Sequence, residues 1–215
     1  MLTNRPAVLI AIASGLAASS IAFMSGGGVE ERRAEDAPIR VATAVFAGGC
    51  LSCVEADFDN MNGVIETVVG YTGGSVERPS HKQVESGETG HYEAVKVTYD
   101  PSRISYETLA ANFMRTIDPT DDAGQFCDRG EPFRSAIFVS GRSERNAAVA
   151  TVSGAQRILG KDVVTEIRPL TAFWPADDQY QDYHIRNASK YASKREACGR
   201  DQRLMDVWGA SGPAL

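Results

Sequence analysis

Two cysteines three residues apart carry the first chemical signal in this chain. Cys50-Leu51-Ser52-Cys53 follows Gly48-Gly49 and opens a stretch with helical spacing. A sulfur at the start of a helix faces free backbone N–H groups and the positive end of the helix dipole. Both favour thiolate over thiol, so Cys50 is expected to be nucleophilic near neutral pH. The two glycines let the backbone turn tightly and leave that sulfur accessible. A small buried apolar cysteine is the competing reading, and the strand-Gly-Gly-Cys-helix order disfavours it. Cys53 completes a Cys-x-x-Cys pair of the thioredoxin-like redox kind, a weak signal when it stands alone. A zinc site would need two further ligands at short spacing. Cys127 and Cys198 are isolated in sequence, so no metal is expected.

The elements that must position these sulfurs follow from periodicity. Ile39 to Phe46 alternates as a strand running into Ala47-Gly48-Gly49. Cys50, Val54, Asp57, Phe58 and Met61 fit one helix, ended by Asn62-Gly63. Val64 to Tyr71 reads as a strand closed by Gly73-Gly74, and Ser75 to Gly90 as a polar loop. Tyr92 to Tyr99 alternates again. Ser105 caps a helix carrying Leu109, Phe113 and Ile117, stopped by Asp118-Pro119. A loop spans Thr120 to Pro132, a strand Ser135 to Val139, a long helix Ser143 to Leu159, and a strand Val163 to Ile167. From Thr171 the chain reads as largely irregular, with a short helix near Asp177 to Arg186. Two β-helix-β passages imply an α+β fold: a two-layer α/β sandwich of split-βαβ (ferredoxin-like) type, with a mixed sheet and an irregular, mobile C-terminal tail.

The whole chain has 215 residues, 43% hydrophobic and 23% charged, with a net charge of −6. That suits one globular domain of moderate size and offers no basic footprint for nucleic acid. Arg5 precedes an uncharged run whose apolar part extends from Ala7 to Met24. A basic start and such a run read as a signal peptide or an uncleaved membrane anchor over residues 1–29. The charged residues 30–37 are then a linker and 38–215 a single domain, exported to the periplasm or membrane-anchored. The only membrane contact expected is through that N-terminal segment. An even cysteine count outside the cytosol first points to two structural disulfides. A domain of this size does not need them, and Cys50 and Cys53 close too short a loop to stabilise it usefully. The spacing favours redox work.

Wider strings extend this reading. Ala47-Gly48-Gly49-Cys50, Val54-Glu55-Ala56, Gly70-Tyr71-Thr72-Gly73-Gly74, Gly90-His91-Tyr92-Glu93-Ala94-Val95, Tyr99-Asp100-Pro101, Asp118-Pro119-Thr120, Arg134-Ser135-Ala136-Ile137 and Thr165-Glu166-Ile167 occur in this order. Together they resemble peptide methionine sulfoxide reductases of the A type, over roughly Val41 to Gly199. The resemblance implies an enzyme that reduces methionine S-sulfoxide, free or in proteins, as a repair of oxidative damage. It places the nucleophile on Cys50 and the acid that protonates the departing oxygen on Glu93, which burial must keep protonated. It matches Asp128 to an aspartate that organises the site. Cys198 matches the resolving cysteine that condenses with the Cys50 sulfenic acid. Cys53 is the competing resolver and could relay to Cys198. A thioredoxin-like dithiol would restore the enzyme, which is expected to be a monomer with no cofactor.

Four pocket positions depart from the family pattern. Phe-Trp after the cysteine is here Leu51-Ser52, and two tyrosines that hold the sulfoxide oxygen fall on His81 and Phe133. Loss of the aromatic wall removes ~1–3 kcal/mol of contact. Loss of an oxygen-side donor at Phe133 removes about as much, ~1–3 kcal/mol, in the transition state. His81 can replace one donor. Two other readings compete: a thiol-disulfide oxidoreductase using Cys50-Cys53, and a non-catalytic binding module on the same fold. His91, His184 and Phe173-Trp174 are read as structural.

Overall fold

The computed structural model describes residues 40–209. The expected signal or anchor segment, 1–29, and linker, 30–37, lie outside the described residues. In chain order the elements are β1 (Ala42–Gly48), α1 (Leu51–Asp59), β2 (Val64–Thr72), α2 (His81–Glu85), β3 (Tyr92–Tyr99) and α3 (Tyr106–Arg115). The short pair β4 (Gly124–Gln125) and β5 (Asp128–Arg129) follows, then a 3-10 turn over Glu131–Phe133. The chain continues through β6 (Ser135–Val139), α4 (Arg142–Leu159), β7 (Glu166–Pro169), β8 (Phe173–Pro175), α5 (Tyr183–Arg186), α6 (Ala188–Ala197) and α7 (Arg200–Trp208).

One six-stranded sheet has the order β7-β6-β1-β3-β2-β8. Its pairs are antiparallel except β6 with β7, so the sheet is mixed. The alternation along β3 sorts its residues between two apolar layers. Val95, Val97 and Tyr99 join Phe46, Phe58, Leu109, Phe113 and Ile137 under the helices. Tyr92 and Ala94 join Val45, Ala47, Ala136 and Phe138 on the opposite face. Phe46, Phe58 and Phe113 stack with centroids 4.9 to 6.4 Å apart, which locks α1 and α3 onto β1. This is the expected α+β sandwich, and the mouth of the site opens where β1 hands over to α1.

The structure corrects the expectation for the C-terminal segment. Besides a short helix, α5, inside the stretch where one is expected, it holds β8, α6 and α7 and is not an irregular tail. α6 was hidden because none of its residues is buried, so it carries no apolar period to read. α7 buries Leu204 and Trp208 at i, i+4, and the Trp208 indole N–H donates to the Ile117 carbonyl at 2.9 Å. The tail is also not loose, since Cys198 at the end of α6 is bonded to Cys127. Smaller shifts occur elsewhere. The loop 75–90 contains α2, started by a capping box between Ser80 and Gln83. The strand expected from Val163 starts at Glu166.

Candidate active site

Cys50 occupies the N-cap position of α1, reached through Gly49 at φ +81°. A Cβ at Gly49 would stand 2.7 Å from the Gln125 Cβ, so the turn needs a glycine for conformation and for space. Gln125 is fully buried and clamps Asp118 through both ends of its amide, at 2.9 and 2.8 Å. This contact seats the β4–β5 loop, with Cys127 and Asp128, beside the cysteine turn.

The Cys53 thiol donates to the Cys50 sulfur at 2.9 Å. Three residues along a first helical turn bring N-cap and N3 side chains onto one side, so the Cys-x-x-Cys spacing produces this contact. The Ser52 hydroxyl lies 3.3 Å from the same sulfur. Hydrogen bonding from Cys53 outweighs burial, and with smaller help from Lys194 and Ser52 it lowers the Cys50 thiol to about 6. The Cys53 thiol is pushed far up, first by donating to Cys50, then by burial, then by the Cys50 charge. One thiolate therefore stands at neutral pH, and it resides on Cys50.

Glu93 projects from β3, opposite Tyr71 of β2 in the ladder, and is 4% exposed. Burial, reinforced by the Cys50 charge and then by Asp128, raises its carboxyl well above the ordinary range. A backbone bond from Leu51 opposes the shift without cancelling it. That shift favours the protonated acid, and a protonated carboxyl beside a thiolate is suited to proton donation during nucleophilic attack. His81, on α2, places Nδ1 3.1 Å from the Tyr71 hydroxyl and 3.6 Å from a Glu93 oxygen, with Nε2 3.2 Å from Glu85.

A cavity of about 280 Å³ joins Cys50, Leu51, Ser52, His81, Glu93, Asp128 and Phe133. Seven of the residues singled out from sequence thus share one concave site. Cys53 sits buried beneath Cys50. Cys198 does not join them as a free thiol. The resemblance gave it the resolving role, with Cys53 as competitor, but its sulfur is bonded to Cys127. Sequence could not assign that bond, because 71 residues separate the partners and only the tertiary fold brings their Cα atoms to 5.2 Å.

Sequence reasoning missed Tyr180, Tyr183, Glu85 and Lys194 on the cavity wall. Tyr180 packs on the His81 ring at 4.2 Å. The segment bearing Tyr180 and Tyr183 is held by Glu55, a fully buried α1 carboxylate that accepts from the Asp182 N–H at 3.0 Å and contacts His184 Nδ1 at 3.2 Å. These tyrosines share the cavity wall with Leu51 and Ser52 and add aromatic surface to it. The residues read as structural are so placed: His91 accepts from the Gly74 N–H at 3.2 Å, and Phe173 and Trp174 form β8.

A helix-capping thiolate, a second thiol in contact and a buried neutral acid on a shared cavity define a thiol-dependent reductase. Residues 42–211 match the family model described as peptide methionine sulfoxide reductase. The chain is 44% identical over 170 residues to the peptide methionine sulfoxide reductase MsrA 2 of Caulobacter vibrioides, covering 79% of this chain and 87% of that protein. It is 40% identical to the MsrA of Halalkalibacterium halodurans, covering 79% of this chain and 98% of the relative. Among solved structures it is similar to methionine sulfoxide reductase A of Corynebacterium diphtheriae, with TM-score 0.63, 28% identity, and coverage of 71% of this chain and 77% of that one. It is also similar to reduced Mxr1 of Saccharomyces cerevisiae, with TM-score 0.67, 26% identity, and coverage of 71% and 88%. The chain belongs to the peptide methionine sulfoxide reductases of the A type, enzymes that reduce peptide methionine (S)-S-oxide through a thiol.

Proposed function

We propose that Cys50 is the nucleophile of this reduction, Glu93 its acid and Cys53 the thiol that resolves the product. The Cys50 thiolate attacks the sulfoxide sulfur while Glu93 gives its proton to the oxygen. Oxygen ends on Cys50 as sulfenic acid, and methionine leaves. The Cys53 thiol then displaces that oxygen as water, forming the Cys50–Cys53 disulfide. The 2.9 Å contact between the two sulfurs carries this reading. The electrostatics order the steps. While Cys50 is a thiolate, it holds the proton on Cys53 through their hydrogen bond and its charge. Conversion to neutral sulfenic acid removes both effects, and Cys53 becomes reactive only then. An external thioredoxin-like dithiol reduces the disulfide by exchange. Leu51, Ser52, His81 and Phe133 border the substrate, and Asp128 orders the mouth.

Mass spectrometry after treating reduced protein with methionine S-sulfoxide tests the scheme. The wild type should accumulate a Cys50–Cys53 disulfide, and Cys53→Ser a Cys50 sulfenic acid trapped by a dione reagent. A disulfide joining Cys50 to Cys198 would overturn the role given to Cys53. Intact thiols with no methionine formed would overturn the role given to Cys50. The basic start and apolar run Ala7 to Met24 support export, cleaved or anchored. N-terminal sequencing of protein from a periplasmic fraction checks that assignment.

A further inference from the structure

Lys194 is the only permanently charged cation lining the cavity among the described residues. Around Cys50 stand three carboxyl groups, Glu85 from α2, Glu93 from β3 and Asp128 from β5, together with His81 and the phenols of Tyr180 and Tyr183. Cys53 faces it from α1. Against that acidic surround one ammonium, reaching in from α6, opposes the field. Its Nζ lies 3.9 Å from Asp128 Oδ1, so it also offsets that carboxylate.

A lysine with a 58% exposed side chain has many rotamers, and α6 buries none of its residues. Two features hold the helix in place. Arg195 pairs with Asp57 of α1 at 3.2 Å. The Cys127–Cys198 disulfide is the second. Its two ends flank the Lys194–Asp128 pair: Cys127 immediately precedes Asp128, and the Cys198 N–H bonds to the Lys194 carbonyl at 2.9 Å, one helical turn on.

We propose that Lys194 is a positioning residue that stabilises the Cys50 thiolate, and that the Cys127–Cys198 disulfide is the brace that holds it over the site. The disulfide then lies outside the electron path and sets nucleophile reactivity. This rests on Cys50 being the nucleophile. The direction of the Cys50 acidity agrees, since Lys194 lowers it while Asp128 raises it. Removing Lys194 deletes a favourable charge and leaves Asp128 uncompensated.

The test is the pH dependence of Cys50 alkylation by iodoacetamide, read by peptide mass spectrometry. It needs no sulfoxide, so it stays separate from turnover. Lys194→Met should move the midpoint upward from about 6 and slow alkylation near that pH about fivefold. Lys194→Arg should retain the wild-type midpoint. Added salt should slow the wild type, by screening Lys194, and speed Lys194→Met, by screening the uncompensated Asp128, so the two converge. Cys127→Ser/Cys198→Ser, kept well below its melting temperature, should shift the midpoint in the same direction. Adding Lys194→Met to it should cause little further change. A Lys194→Met profile that superimposes on the wild type overturns the role of Lys194. A wild-type midpoint without the disulfide, or shifts that simply add, overturns the brace.

Discussion

The roles proposed for Cys50 and Glu93 require opposite protonation states in one cavity, and their surroundings favour that. A hydrogen bond from Cys53 takes the Cys50 thiol down to about 6, while burial raises the Glu93 carboxyl well above the ordinary range. The rate of sulfoxide reduction should rise as pH passes through about 6 and the thiolate forms. It should fall again at higher pH, when Glu93 loses its proton, giving a bell. Glu93→Gln cannot give up a proton and should lower kcat about 10²- to 10⁴-fold while keeping the alkaline side flat. A Glu93→Gln enzyme that still loses rate at high pH would show that another group is the acid. Ser52 offers a second test. It lines the cavity together with Tyr180 and Tyr183, at a position where the family resemblance implies an aromatic side chain. Ser52→Trp should lower KM for a methionine S-sulfoxide peptide about tenfold, from apolar and S–aromatic contact. An unchanged KM, with the fold intact by circular dichroism, would mean that the two tyrosines already form the methyl-binding wall.

The strands carried their own signal. β3 and β6 occupy the stretches expected as strands, Tyr92–Tyr99 and Ser135–Val139, and each buries side chains against two layers. α6 gave no such signal, since a helix held by Arg195–Asp57 and a disulfide needs no apolar face. The site followed the same division. Cys50, Glu93 and Asp128 stood in motifs, whereas Tyr180 and Tyr183 lie in the Asp177–Arg186 stretch expected only as a short helix, and Lys194 reaches the cavity from α6, which the sequence did not reveal. β8 shows how much that segment depends on one close approach. A Cβ at Gly70 would stand 2.3 Å from the Trp174 carbonyl oxygen, a backbone atom that cannot turn away. Gly70→Ala should therefore push β8 off the sheet edge and loosen the Tyr180–Tyr183 stretch that follows. The expected outcome is a lower melting temperature and a raised KM, with Cys50 alkylation little changed. A raised KM without loss of stability, or neither effect, would place the tyrosines under some other control than β8.

The C-terminal helices are fastened to the rest of the molecule at very different strengths. Arg195–Asp57 is a largely buried ion pair, whose Coulomb gain is offset by the desolvation of both charges. Leu204 and Trp208 contribute more, by burial against the core that holds Ile117. The Cys127–Cys198 bond acts on the unfolded chain instead. It closes a sequence separation of 71 residues, for which the loop-entropy relation gives about 4 kcal/mol. For a domain of this size that corresponds to a melting-temperature loss of about 10 °C on opening the loop. Calorimetry of Cys127→Ser/Cys198→Ser against the wild type should show that loss in a single transition. Residual structure in the denatured chain would make it smaller. A drop as small as an exposed ion pair gives would mean that α7 already confines the chain ends, leaving the bond to matter only for where Lys194 sits.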